Sequence, residues 1–229
     1  MLGNPLLLGH RGTRLRGAPP ENTIAAFDEA LENGCDGFEF DVRRTACGRA
    51  LICHDETSQG VRIAEATCGE LTSLPCLTDV LARYSRTAFL DIELKVPGLE
   101  SDVLVALREH PPEHGYVVSS FLPDLLTELR TRSGDVCLGY ICDRKKNLDL
   151  WAELPIQYVI PKQNLISAPL VQAVHRTGKS IVTWTVNDPR TMRRMVAWGV
   201  SGIISDDPAL LVKTCRGAGV GRARIDRRH

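Results

Sequence analysis

The chain has 229 residues, 43% of them hydrophobic, with 28 basic against 28 acidic side chains and hence no formal net charge. That supplies a core for one domain of the length a barrel of alternating strands and helices needs, while a neutral surface argues against nucleic acid or an anionic membrane as a partner drawn in by global charge. There is no run of about 18 apolar residues to cross a membrane, and Leu6-Leu7-Leu8 is too short for a signal core, so a soluble cytoplasmic protein is expected.

Residues 6–9 read as a short buried strand. Asn22 or Thr23 is placed to cap the helix that follows, since a short polar side chain there accepts from an orphan amide. That helix carries Ile24, Phe27 and Leu31 on one face, and Asn33-Gly34 ends it. A second strand covers 37–43, a turn at Ala46-Cys47-Gly48 leads into an extended segment at 50–53, and 56–75 reads as loop and turn. A helix opens at Thr78, a third strand spans 88–95, and the helix over 99–109 is stopped by Pro111-Pro112. Strands then fall at 116–119, 136–141, 157–160, 180–185 and 202–205, with helices at 123–132, 147–153, 168–177, 189–198 and 208–214. Repeated strand–helix units favour parallel pairing, and eight of them within residues 1–216 predict a single α/β domain, a closed (β/α)8 TIM barrel. An open doubly wound sheet satisfies the same periodicity. Residues 217–229, rich in glycine and arginine, read as a solvated tail.

The eight cysteines form no Cys-x-x-Cys pair and have no histidine cluster beside them, which excludes zinc-site spacing and predicts free thiols in a reducing compartment.

In such a barrel the site lies at the C-terminal strand ends. His10-Arg11 ends the first strand, and strand alternation puts Glu39 and Asp41 on one face, and Asp91, Glu93 and Lys95 on another, with Leu90, Ile92 and Leu94 towards the helices. Carboxylates on inward faces need compensation. A hard divalent cation on Glu39, Asp41 and Glu93, Mg²⁺ with Ca²⁺ as the alternative, would provide it, as would salt bridges to Arg11, Arg43 and Lys95. Arg11 offers a planar fork and Lys95 a point charge for an incoming phosphate. His10 and His54 titrate near neutrality and suit the two proton transfers of phosphodiester cleavage. His110, His114, His175 and His229 sit in helix, loop or tail contexts and are read as non-catalytic.

His10-Arg11, Glu39-x-Asp41 and His54-Asp55 resemble the glycerophosphodiester phosphodiesterase family. So do Pro20-Glu21-Asn22-Thr23, Ile92-Glu93-Leu94-Lys95, Ser119-Ser120-Phe121, Trp184-Thr185-Val186-Asn187 and Gly202-Ile203-Ile204-Ser205-Asp206, which carry the resemblance over almost the whole chain. The resemblance implies a TIM barrel hydrolysing glycerophosphodiesters to glycerol 3-phosphate and an alcohol. It implies metal ligation by Glu39, Asp41 and Glu93, phosphate contact by Arg11 and Lys95, and acid–base catalysis by His10 and His54. Trp184 would wall the glycerol and Glu21 would hold Arg11 or a ligand from behind; core packing and a helix-dipole contact are the plainer alternatives for these two. The chain departs from the family in a longer loop after the first strand, which carries Arg14 and Arg16 and reads as solvated surface. Cys47 stands where an aspartate is usual, and the segment after His54-Asp55, which normally roofs the site, is short. The more open mouth keeps lysophospholipids, and so a lysophospholipase D, in view beside small diesters; a non-catalytic phosphodiester-binding barrel is the alternative from another class. The expected partner is a small glycerophosphodiester, with no nucleic acid, no stable membrane association, and a monomer or homodimer.

Overall fold

The structure, a computed structural model, describes residues 4–67 and 69–216, so the expected tail lies outside the described residues. Strand β1 (Leu6–His10) leads through helix α1 (Ile24–Glu32) to β2 (Gly37–Arg44), which turns back into the short β3 (Ala50–Ile52). A small hairpin, β4 (Thr57–Ser58) and β5 (Val61–Arg62), precedes α2 (Leu77–Tyr84) and β6 (Phe89–Leu94). Then come α3 (Glu100–Glu109), β7 (Tyr116–Ser120), α4 (Pro123–Arg132), β8 (Leu138–Cys142), β9 (Tyr158–Pro161), α5 (Ala168–Arg176), β10 (Ser180–Thr183), α6 (Pro189–Trp198), β11 (Gly202–Ser205) and α7 (Pro208–Arg216). Parallel pairing runs β1, β2, β6, β7, β8, β9, β10, β11 and returns to β1, closing a barrel of eight parallel strands among the described residues. The closing register, Leu6 with Gly202 through Gly9 with Ser205, rules out the open sheet that periodicity left standing.

Alternation along the strands divides the core into two clusters. Leu8, Phe89, Val117, Ile141, Ile160, Val182 and Ile204 fill the barrel interior. Leu7, Phe38, Phe40, Leu90, Ile92 and Leu94 face outward and are covered by helix residues such as Phe27, Leu81, Val103, Leu126 and Met192. Phe27 of α1 stacks on Phe38 of β2 at 4.2 Å between ring centroids, and Tyr84 of α2 meets Phe38 edge-on at 5.0 Å, so three elements lock around one aromatic cluster. Gly37 is demanded by the sheet: a Cβ there would lie 1.8 Å from the Phe89 carbonyl oxygen.

Three local expectations change. Lys145–Ala152 is a 3₁₀ segment rather than an α-helix, anchored by the buried Trp151. Residues 56–75, expected as loop, hold the β4–β5 hairpin and a 3₁₀ turn at Ile63–Glu65. Leu51, Ile63, Ala66 and Leu71 form a small satellite core beneath them, from apolar residues spaced too irregularly to announce an element. Cys47 is disulfide-bonded, so the expectation of free thiols throughout fails there, while Cys35, Cys53, Cys76, Cys137, Cys142 and Cys215 are free. No helix among the described residues is long and apolar enough to cross a membrane.

Candidate active site

The site forms where β1, β2 and β6 end side by side. Registry puts His10 beside Glu39, Glu39 beside Asp91, and Asp41 beside Glu93. Past His10 the chain turns sharply: Arg11 (φ 51°) and Gly12 (φ 82°) both take left-handed backbone. Gly12 must be glycine, because a Cβ would come within 2.5 Å of the Ala26 backbone. The Arg11 conformation is disfavoured for a side-chain-bearing residue and is held by its surroundings. Its amide donates to Glu39 Oε2 at 3.0 Å, and its carbonyl accepts from the Asn22 amide at 3.0 Å.

Asn22, itself left-handed at φ 58°, is not the cap of α1; Thr23 is, accepting from the Ala26 amide at 3.2 Å. The Asn22 side chain instead brackets Asp41, with Nδ2 donating to Asp41 Oδ2 at 2.8 Å and Oδ1 accepting from the Asp41 amide at 3.3 Å. One side chain thus fixes both the loop and a carboxylate of β2.

Glu39, Asp41 and Glu93 are all buried, and each presents an oxygen within 4.8 Å of the others. Arg11 Nε lies 3.1 Å from Asp41 Oδ2, and Lys95 Nζ lies 2.6 Å from Glu93 Oε1 and 3.3 Å from Asp41 Oδ1. Two of the three cations of the salt-bridge alternative, Arg11 and Lys95, therefore reach the cluster, whereas Arg43 does not: its Nε donates to the His54 carbonyl at 2.8 Å. Among the described residues Glu39 Oε1 is buried with no hydrogen-bond or ion-pair partner, and Asp41 Oδ1 and Glu93 Oε1 share the single Lys95 ammonium. Buried oxygens in that condition are costly, and a hard cation is the partner that oxygen-only donors suit. The residues fit a divalent metal.

The electrostatics agree. Burial, then repulsion from Asp41, Glu93 and Asp91, raises the Glu39 carboxyl well above its ordinary value. Burial and Asp41 push Glu93 up to about 7. Asp41 goes the other way: burial opposes ionisation, but Lys95, Arg11 and the Asn22 hydrogen bond outweigh it and hold the carboxyl low. Asp91, one turn of the pleat deeper, is buried and pushed up to about 7 even though Ser119 Oγ donates to it at 2.5 Å.

The two histidines differ. His10 is buried, with Nδ1 2.6 Å from Asp206 Oδ1 and Nε2 3.8 Å from Glu39 Oε2. Burial lowers its pKa, with the Asp206 hydrogen bond acting in the opposite sense. Asp206 is clamped in turn by Asn187, whose Nδ2 donates to Asp206 Oδ2 at 2.6 Å and whose Oδ1 accepts the Asp206 amide at 2.9 Å. Burial raises the Asp206 carboxyl, but the His10 contact, Asn187 and Arg14 bring it below its ordinary value. His54 sits at the mouth, 34% exposed in its side chain, with Nδ1 2.8 Å from Asp55 Oδ1.

Glu21 accepts from Arg11 Nη1 at 2.6 Å and also binds Arg14 Nε. Arg14 reaches Asp206 as well, at 3.4 Å; like Arg16 it is exposed, as a surface loop requires, but it also places positive charge beside the site. Trp184 meets Phe121 edge-on at 5.6 Å and donates through Nε1 to the Ile160 carbonyl at 3.0 Å. With Ile141, Ile160 and Ile204 these rings wall an apolar cavity of about 90 Å³ that opens onto His10, Arg11, Glu39, His54, Glu93 and Lys95. Asp41 and Glu21 stand behind that lining, against Arg11.

Sequence reasoning quoted Asn187 and Asp206 only as motif residues without a role, and missed the role of Asn22. Asp206 obeys the rule that found the others, an acidic residue at a strand end, but its partner lies 196 positions away.

Residues 10–210 match the glycerophosphoryl diester phosphodiesterase family. The chain is similar to a glycerophosphodiester phosphodiesterase of Caldanaerobacter subterraneus subsp. tengcongensis, 30% identical over 93% of this chain and 99% of that one. Among solved structures it is similar to the glycerophosphodiester phosphodiesterase of Thermotoga maritima, with TM-score 0.80 and 26% identity over 92% of this chain and 98% of the other. It shares its fold with an Oleispira antarctica phosphodiesterase solved in complex with the product sn-glycerol-3-phosphate, with TM-score 0.81 and 21% identity over 92% and 96% of the two chains.

Proposed function

The chain belongs to the glycerophosphoryl diester phosphodiesterase family and is a glycerophosphodiester phosphodiesterase, and from that premise we propose a metal-dependent, two-histidine hydrolysis that releases glycerol 3-phosphate and an alcohol. The observation that carries this reading is the meeting of two unlike histidines, three buried carboxylates and two cations around one small apolar cavity. The product held by the Oleispira protein of the same fold supports the choice of product.

Glu39, Asp41 and Glu93 would hold the cation, Mg²⁺ or Ca²⁺, which when bound supplies Lewis-acid stabilisation of charge on a phosphate oxygen. Arg11 and Lys95 bind the remaining phosphate oxygens and counter the negative charge that grows in the transition state. Trp184 and Phe121 cover the glycerol carbons and exclude water from that side.

His10 is the base. Nδ1–H donates a hydrogen bond to the Asp206 carboxylate, which leaves Nε2 with a free lone pair directed into the site. His10 takes the proton of the attacking hydroxyl, from water or from the glycerol 2-hydroxyl, as the new P–O bond forms. The P–O bond to the alcohol then breaks, and His54 supplies the proton to the departing oxygen. When the 2-hydroxyl attacks, the histidines exchange roles while water opens the cyclic ester.

Release of glycerol 3-phosphate from a panel of glycerophosphodiesters, with Mg²⁺, with Ca²⁺ and with chelator, tests the scheme. Chelation is expected to abolish turnover. His10→Ala and His54→Ala are each expected to lower kcat by about 10²–10⁴-fold, the usual contribution of a positioned acid or base. Near-normal turnover in either variant, or full activity in chelator, overturns the scheme.

A further inference from the structure

A second cavity, of about 490 Å³, adjoins the site at the mouth of the barrel and has no part in the scheme above. No residue lines both, but along three stretches of chain residues close in sequence line one and then the other. His54 lines the site and Glu56 the second cavity; Lys95 lines the site and Val96 the second cavity. On β2, Glu39 lines the site, and Arg43, on the same strand face four residues on, lines its neighbour. Arg43 marks the boundary, because its Nε donates to the backbone carbonyl of His54 at 2.8 Å.

The lining is basic. Arg43, Arg44 and Arg62 contribute three guanidinium groups against the single carboxylate of Glu56. Arg43 and Arg44 make no close ion pair among the described residues, although Arg43 acts on the Asp55 carboxylate from a distance. Arg62 has one partner there, Glu65 at 3.4 Å, with both side chains more than half exposed. Ile63, Val96 and Pro97 supply an apolar side beneath these charges. Such a surface accommodates a short carbon skeleton that carries an anion. A trimethylammonium group would meet like charge there.

We propose that this cavity is the subsite for the alcohol half of the substrate, and that it selects alcohols bearing a phosphate monoester. The inference rests on the proposed role of His54: the oxygen that His54 protonates belongs to the alcohol, so the alcohol lies on the His54 side, which is the side of Arg43, Arg44 and Arg62. The shortened segment after His54-Asp55 supplies Glu56, Arg62 and Ile63 to this cavity and no residue to the lining of the site, so its effect falls on the leaving group and not on the glycerol pocket.

The test compares kcat/KM for glycerophosphoglycerol, the same diester phosphorylated on its terminal hydroxyl, and glycerophosphocholine. The metal-loaded wild-type protein is set against Arg44→Ala, Arg62→Ala and the double variant. Arg43 is left intact because it holds His54. The wild type is expected to favour the phosphorylated diester by about tenfold or more, the size of one charge-assisted hydrogen bond. The double variant is expected to lose that preference through KM while keeping glycerophosphocholine turnover within about twofold. Equal losses on all three substrates, or an unchanged preference, overturn the proposal. His54→Ala reports on the underlying reading separately. Near-normal turnover there removes the acid role of His54 and with it the placement of the alcohol. Loss of turnover there, together with unchanged selectivity in the arginine variants, overturns the subsite alone.

Discussion

His10 and Glu39 show how much a single side chain's surroundings decide. The imidazole is fixed by a 2.6 Å contact to Asp206, and Asp206 by two contacts to Asn187, so the aspartate positions the base without facing the cavity. Asp206→Asn keeps the shape and removes the charge that favours a proton on Nδ1. It is expected to lower kcat by about 10²–10³-fold, within the range a correctly poised base contributes, with KM and the metal requirement little changed. A loss confined to KM in steady-state kinetics would contradict this. Glu39 makes the complementary case. Burial and three neighbouring carboxylates raise its folded pKa, so in the metal-free protein its ionisation opposes folding as pH rises above the ordinary carboxylate range. Glu39→Gln is therefore expected to raise the metal-free melting temperature at pH 7, by about 2–4 °C per kcal/mol relieved in a chain of this size. The gain should vanish below pH 4, and the variant should lose the thermal shift that Mg²⁺ gives the wild type. Melting curves across pH, with and without Mg²⁺, measure all three.

At the scale of the element, two features fix strands and helices in place. Gly37 begins β2 where it pairs with both β1 and β6, and a methyl group would strike the Phe89 carbonyl, which is backbone and cannot turn aside. Gly37→Ala is expected to destabilise by about 3 kcal/mol, the upper end of ordinary overpacking, read as a lower urea midpoint. Helix α6 is capped by Asp188, whose carboxylate accepts from the Thr191 amide at 2.7 Å. That bond holds its pKa below the ordinary value. A depressed folded pKa gives stability that is present above the unfolded pKa and is lost as pH falls through the folded one. Asp188→Ala should therefore melt below the wild type at pH 7 and match it near pH 2; an equal gap at both values would show that the charge on the cap contributes nothing.

The whole molecule depends on closure. β1 and β11 lie at opposite ends of the sequence, and their pairing leaves the eight parallel strands without a free edge. Both core clusters are built from all parts of the chain, the inner one running from Leu8 to Ile204. Urea unfolding followed by tryptophan fluorescence and by far-ultraviolet circular dichroism should give coincident single transitions, because no half of the barrel keeps an intact core without the other. Separated curves would show that the halves unfold independently. At this scale the basic subsite also has its place: a molecule with no net charge carries a local positive field beside one flank of its active site.

Alternating apolar runs and helical faces were enough to read the fold class, and strand alternation alone put Glu39 with Asp41 and Asp91 with Glu93, because side-chain direction along a strand is a local property. The family motifs were legible for the same reason, each lying within a few consecutive residues. What the sequence left open was decided by contacts between distant positions. The barrel closes through β1 and β11; Asp206 meets His10 across 196 positions; Arg14, still exposed, pairs with Glu21 and Asp206; Asn22 gives up a helix cap to hold Asp41. Residues 56–75 carry little periodicity, so only their packing on Leu51 revealed a hairpin there and the basic cavity it helps to form. Local pattern specifies which way a side chain points. Which partner it finds depends on closing loops through the rest of the chain, and only the assembled barrel does that.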